Sequence, residues 1–64
     1  MTRVAAERCL AVLYRPRAVG VCVDLVRGDL RAVVEVGGVW RPVAVARAWG
    51  ELVALAREEL SPWA

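Results

Sequence analysis

Between Val19 and Ala46 apolar and polar positions alternate in three short runs, separated by Gly28-Asp29 and by Gly37-Gly38. A period of two marks half-buried strands, and turn-forming pairs between such runs mark hairpins. The stretch therefore predicts a three-stranded antiparallel meander. On both sides of it the pattern changes to helical spacing.

A two-residue loop sets register, because its flanking residues face each other and the outer pairs follow by counting. With Gly28-Asp29 as a type II′ turn, Arg27 faces Leu30, Leu25 faces Ala32, Val23 faces Val34 and Val21 faces Val36. With Gly37-Gly38 as the second turn, Val36 faces Val39, Val34 faces Arg41, Ala32 faces Val43 and Leu30 faces Val45. Both registers place Val21, Val23, Leu25, Leu30, Ala32, Val34, Val36, Val39, Val43 and Val45 on one core face, with Arg27 at its end and Arg41 as its interior exception. A three-residue loop over Arg27–Asp29 would set Asp24 opposite Ala32 and mix charge into that layer. The opposite face is mixed: Cys22, Asp24 and Val26, then Arg31, Val33 and Glu35, then Trp40, Pro42 and Ala44. Pro42 has no N–H to give a neighbour, which suits an edge strand.

Before the meander, Thr2 is a capping residue, Arg3 and Glu7 are spaced i, i+4, and a helix is expected from Arg3 to Leu13. Its apolar residues Val4, Ala5, Cys9, Leu10, Val12 and Leu13 cover more than half its circumference. The competing reading makes Cys9 to Tyr14 a fourth strand. Arg15-Pro16-Arg17 then breaks the pattern and connects to the sheet. After the meander, Trp49, Leu52, Val53, Ala56 and Leu60 recur at helical spacing, which predicts a second helix from Arg47 to Leu60 that Pro62 stops. Trp63 is expected to be a core plug or a contact. The fold class is α+β, with helix, three-stranded antiparallel meander and helix (α-β-β-β-α) in one small domain over residues 1–64.

Size changes this picture. A chain of 64 residues sits near the limit at which a single core suffices, burying about 60% of its unfolded surface. Yet 59% of the residues are hydrophobic, above the roughly 45–50% of an average domain. Self-association, as a dimer first, or a protein partner is therefore expected, with the mixed face or an edge strand of the sheet as its surface. Cys22, Val26, Val33, Trp40 and Trp63 are the candidate interface residues.

No uncharged run exceeds six residues, far short of the roughly 18 that suggest a membrane span. Glu7 and Arg8 interrupt the N-terminal apolar stretch before it reaches signal-peptide length. A cytoplasmic location is expected, with Cys9 and Cys22 reduced. All nine basic residues are arginine, and lysine, asparagine, glutamine, isoleucine, phenylalanine and histidine are absent, a composition typical of a GC-rich genome.

Candidate chemistry is sparse. Without histidine and with two cysteines, the chain lacks the donors for an ordinary four-ligand zinc site. Acid–base and nucleophilic catalysis need a positioned titratable group with a partner. The one serine, Ser61, stands beside a proline, and neither cysteine has an imidazole to activate it. Asp24 and Glu35 share the mixed face, where Arg31 is an equally good partner. No phosphate-binding glycine loop is present, and Arg27-Gly28-Asp29 is explained by its hairpin. The expectation is a protein without catalytic activity, metal or cofactor. The alternative function is nucleic-acid binding by Arg15, Arg17, Arg31 and Arg41 around Trp40 as a stacking platform. The net charge of +2 gives that alternative little electrostatic help.

Valine alternation at Val19, Val21 and Val23, a turn at Gly28, the strand Gly38-Val39-Trp40-Arg41-Pro42-Val43 and a helix bearing Trp49 form a further pattern. In this run, Val19 to Trp49, the chain resembles a family of small bacterial domains of unknown function, found alone or near error-prone Y-family polymerase-like mutagenesis proteins. The resemblance implies a bacterial source and an association with DNA-damage tolerance. It implies no catalytic residue.

Overall fold

Thr2 starts the first helix in the computed structural model, which describes residues 1–60. Its hydroxyl accepts from the Ala5 N–H at 3.2 Å, and its carbonyl accepts from Ala6 at 3.0 Å. The first bond satisfies an amide that a helix start leaves without a partner, and the second is the first i→i−4 bond of the helix. Helix α1 runs Arg3–Tyr14, so Cys9 to Tyr14 is helical and not a fourth strand. Arg3 Nε donates to Glu7 Oε1 at 2.8 Å along the exposed side. Ala6, Leu10 and Tyr14 form the buried line, flanked by Cys9 and Leu13. Val4 and Val12 face outward. A narrower stripe than expected is thus buried, because only one side of α1 meets the rest of the chain.

The strands are β1 (Val19–Asp24), β2 (Asp29–Val36) and β3 (Val39–Ala46), antiparallel in the order β1-β2-β3. The second hairpin is as expected. Gly37 and Gly38 have φ of 60° and 81°, left-handed at both central positions, and Val36 pairs with Val39. Such a two-residue turn matches the strand twist.

The first hairpin corrects the sequence reading. Asp24 pairs with Asp29, so the loop holds four residues, and Val21 faces Ala32 in place of Val36. The cause is Asp24, whose Oδ1 accepts from the Val26 and Arg27 amides at 3.0 and 3.1 Å while its carbonyl accepts from Gly28 at 2.8 Å. A side chain that mimics a backbone turn draws the chain out of the strand early. Leu25 and Val26, expected on opposite sheet faces, instead stand in the loop at 90% and 96% exposure. The slide from Val36 to Ala32 is an even number of positions, so Val21 and Val23 keep their face.

The second correction lies in β3. Val33 pairs with Pro42 but Ala32 pairs with Ala44, leaving Val43 as an extra residue in a β-bulge. Beyond it the alternation reverses. Ala44 and Ala46 are buried, Val43 packs against the core, and Val45 is 47% exposed. The expected positions of Ala44 and Val45 are therefore exchanged. On the core face itself Val23 and Val39 are also exposed, lying towards the ends of their strands.

Helix α2 spans Trp49–Leu60, beginning two residues later than expected, where the Ala48 carbonyl accepts from Leu52 at 3.0 Å. It packs on β3 and β2, while α1 packs on α2 and β1. Leu52, Val53 and Ala56 meet Leu10, Val34, Ala32, Ala44 and Ala46 in one buried cluster, with Trp49 against it. Both helices thus lie on one side of the sheet, as a two-layer α+β arrangement. Trp63 lies outside the described residues. No helix among the described residues is long and apolar enough to cross a membrane.

Tyr14 joins the helices: its hydroxyl donates to the Ala56 carbonyl at 2.8 Å in the core. Burial first, and the nearby Glu59 carboxylate second, push its phenol above the ordinary value. Because its folded pKa exceeds its unfolded one, its protonated form contributes fully below about pH 10, and the contribution is lost as pH rises through the folded pKa. Tyr14→Phe should cost about 1 kcal/mol. Thermal melts at neutral pH should show the loss, and melts above pH 10 should show a shallower alkaline decline in the variant.

Candidate interaction surface

With both helices on one side, the other side of the sheet carries Gly20 and Cys22 from β1, Arg31, Val33 and Glu35 from β2, and Trp40, Pro42 and Val45 from β3. Register arranges them in rows: Cys22, Arg31 and Val45; Gly20, Val33 and Pro42; then Glu35 and Trp40. Trp40 remains 53% exposed. A Cβ placed on Gly20 would lie 3.5 Å from Val33 Cγ2 and 3.9 Å from Trp40 Cζ3. The indole therefore reaches from β3 across Val33 towards β1, over the one position in β1 without a side chain. Half an aromatic ring left in water on such a platform marks a contact surface.

Arg31 and its ion pairs lie at the other end of this face. Arg31 Nη2 lies 3.9 Å from Asp24 Oδ2, and Arg31 Nε lies 3.6 Å from Asp29 Oδ1. Arg27 Nε is 3.9 Å from Asp24 Oδ2. At these lengths the contacts are ion pairs and not hydrogen bonds. Arg31 is thereby held against two carboxylates at the hairpin end, away from the Trp40 row. Glu35, in that row, accepts from the Gly38 amide at 3.2 Å. Asp24 and Glu35 each support a turn, and they do not converge as an acid–base pair.

Of the expected interface residues, Cys22, Val33 and Trp40 share this face, Val26 projects from the first hairpin, and Trp63 is outside the described residues. Val45, which the sequence placed on the core face, joins them. Among the residues of the nucleic-acid alternative, Arg41 pairs with Val34 and so stands on the helix side. The Ala18 carbonyl accepts from Glu35 at 3.0 Å, which brings Arg15 and Arg17 to the Trp40 end, opposite Arg31. The structure gathers part of that set and separates the rest. Among the described residues, no group of three or more histidine, cysteine, aspartate or glutamate side chains is placed to hold a metal ion.

Comparison with protein-family models, curated proteins and solved structures finds no match to this chain.

The Asp24 carboxylate bonds to loop amides as an acceptor, so charge is not what the loop needs. Asp24→Ala should cost about 1 kcal/mol and Asp24→Asn less, as measured by denaturant unfolding. Gly20→Ala should be neutral or stabilise by about 0.4–1 kcal/mol, since the new methyl meets its neighbours at ordinary contact distance. Gly20→Leu should displace the indole, seen as a shift of the Trp40 ring resonances that the alanine variant lacks.

Proposed function

We propose that this chain is a non-enzymatic, self-associating interaction module of a bacterial cytoplasm, with a dimer as its first assembly, formed through the open face of its sheet or through a sheet edge. The observation that carries the reading is Trp40, 53% exposed on a platform of Val33, Pro42 and Val45 that neither helix covers. Hiding such a surface against a second copy removes apolar area from water at about 25 cal/mol per Å². Buried aromatic anchors of this kind dominate interface energies. In support, the carboxylates of the sheet, Asp24, Asp29 and Glu35, are engaged in turns and ion pairs.

A second reading, nucleic-acid binding linked to DNA-damage tolerance, rests on the same exposed indole with Arg15 and Arg17 at its end of the sheet, and on the family resemblance of Val19 to Trp49. It asks for salt-sensitive affinity, because arginine–phosphate contacts release counterions. An apolar interface tolerates salt or is strengthened by it.

With the open face as the seam, Trp40→Ala should raise the dimer dissociation constant at least tenfold in sedimentation experiments while leaving the circular dichroism spectrum unchanged. A variant dimer as tight as the original would count against this face and in favour of a sheet edge. Binding of labelled single-stranded DNA that weakens steeply with salt, and that Trp40→Ala abolishes, would shift the function to nucleic acid.

A further inference from the structure

The two edges of the sheet are built differently. On β3, Pro42 removes a donor and the bulge at Val43 interrupts the ladder, with Arg41 between Trp40 and Pro42. These are the devices by which proteins blunt an edge against another strand. On β1, Val19–Asp24 carries no proline, no bulge and no charge before its last residue. No strand lies beyond it among the described residues.

The backbone groups on that edge can be assigned. The Ala18 carbonyl bonds to Glu35 N–H, and antiparallel ladders alternate between bonded and non-bonded pairs. Gly20, Cys22 and Asp24 therefore bond towards β2, and the N–H and C=O groups of Val19, Val21 and Val23 point outward. Beside them, Arg3, Glu7 and Val19–Val21 line a cleft of about 230 Å³. Val23, next along the strand, is 42% exposed.

We propose that β1 pairs antiparallel with β1 of a second copy of this chain about a two-fold axis at Val21, joining two sheets into one. In this register Val21 faces Val21 of the second copy and Val19 faces Val23. Each outward N–H then meets an outward carbonyl. The half-exposed Val23 enters the cleft beside Val19 of the other copy, so the surface is complementary to itself, as a two-fold interface must be. Charge agrees with direction. The strand begins after Arg15 and Arg17 and ends in Asp24, and antiparallel pairing sets Asp24 opposite Ala18 of the second copy, next to its Arg17, on both sides of the axis. A parallel arrangement would bring like charges together. The open faces then run on as one surface, with Gly20 of each copy opposite Cys22 of the other.

The proposal rests on the self-association reading in its edge form, in which Trp40→Ala leaves the dimer intact, and amide hydrogen exchange of the unaltered chain separates edge pairing from self-association as such. In a sample that sedimentation shows to be dimeric, the Val19, Val21 and Val23 amides should be protected together with those of Gly20 and Cys22, and the odd-numbered set should lose protection on dilution to monomer. Rapid exchange of the odd-numbered amides in a proven dimer would overturn the edge pairing and leave self-association standing. A monomer at every concentration would overturn both. Val23→Pro deletes one outward N–H without removing a β1–β2 bond, and it should weaken the dimer more than tenfold with the β2 resonances unchanged. A folded Val23→Pro variant that still dimerises normally would also overturn the edge pairing; if the variant does not fold, the exchange pattern of the unaltered chain decides.

Discussion

At Val43 the third strand carries one residue more than its neighbour, and because side chains alternate with period two, this turns Ala44 and Ala46 towards the helices and Val45 away from them. The close approach of α2 to the sheet depends on this reversal. Ala32, Ala44, Ala46 and Ala56 are all buried between the layers, and small side chains there let Leu52 and Val53 fill the remaining space against Val34 and Leu10. In a straight β3 the alternation would carry Val45 in place of Ala44 and Ala46 to that side, and the larger residue would hold α2 off. Packed interiors leave no slack for such added volume.

From that layer follows the character of the other side. Two helices of twelve residues each cover one face of a three-stranded sheet, and neither helix packs on the second. Among the described residues that face is left open. Register sets Trp40, beside Glu35, at one end of that face and the ion pairs of Arg31 with Asp24 and Asp29 at the other. The carboxylates are used in the same local way: Asp24 and Glu35 each accept from the amides of their own hairpin.

The element order and the identity of the faces were legible in the sequence because they depend on local periodicity. Thr2 as a cap, the Gly37-Gly38 turn and the alternating valines each act over a few residues, and the structure has them where the pattern puts them. Val21, Leu30, Ala32 and Val34 share a face in both the expected and the observed pairing, since a strand displaced by an even number of residues keeps its sides. Asp24, four residues before Gly28, was the overlooked signal for the longer first loop. A carboxylate at that spacing from a left-handed glycine competes with a two-residue turn through hydrogen bonds that hydrophobic alternation does not register.

What the sequence by itself determined is the α-β-β-β-α order, the second hairpin, the buried Leu10, Leu52 and Val34, and the exposure of Trp40 on a mixed face. What only the tertiary structure decided is the bulge, the loss of Leu25 and Val26 to the first loop, the exchange of Ala44 and Val45, and the difference between the two sheet edges. The physical reason is range. Periodicity and turn chemistry are properties of neighbouring residues, whereas the choice between valine and alanine beneath α2 is a volume constraint between elements distant along the chain. The outward set of β1 amides likewise follows from a bond between Ala18 and Glu35, seventeen positions apart, which pairing alone selects.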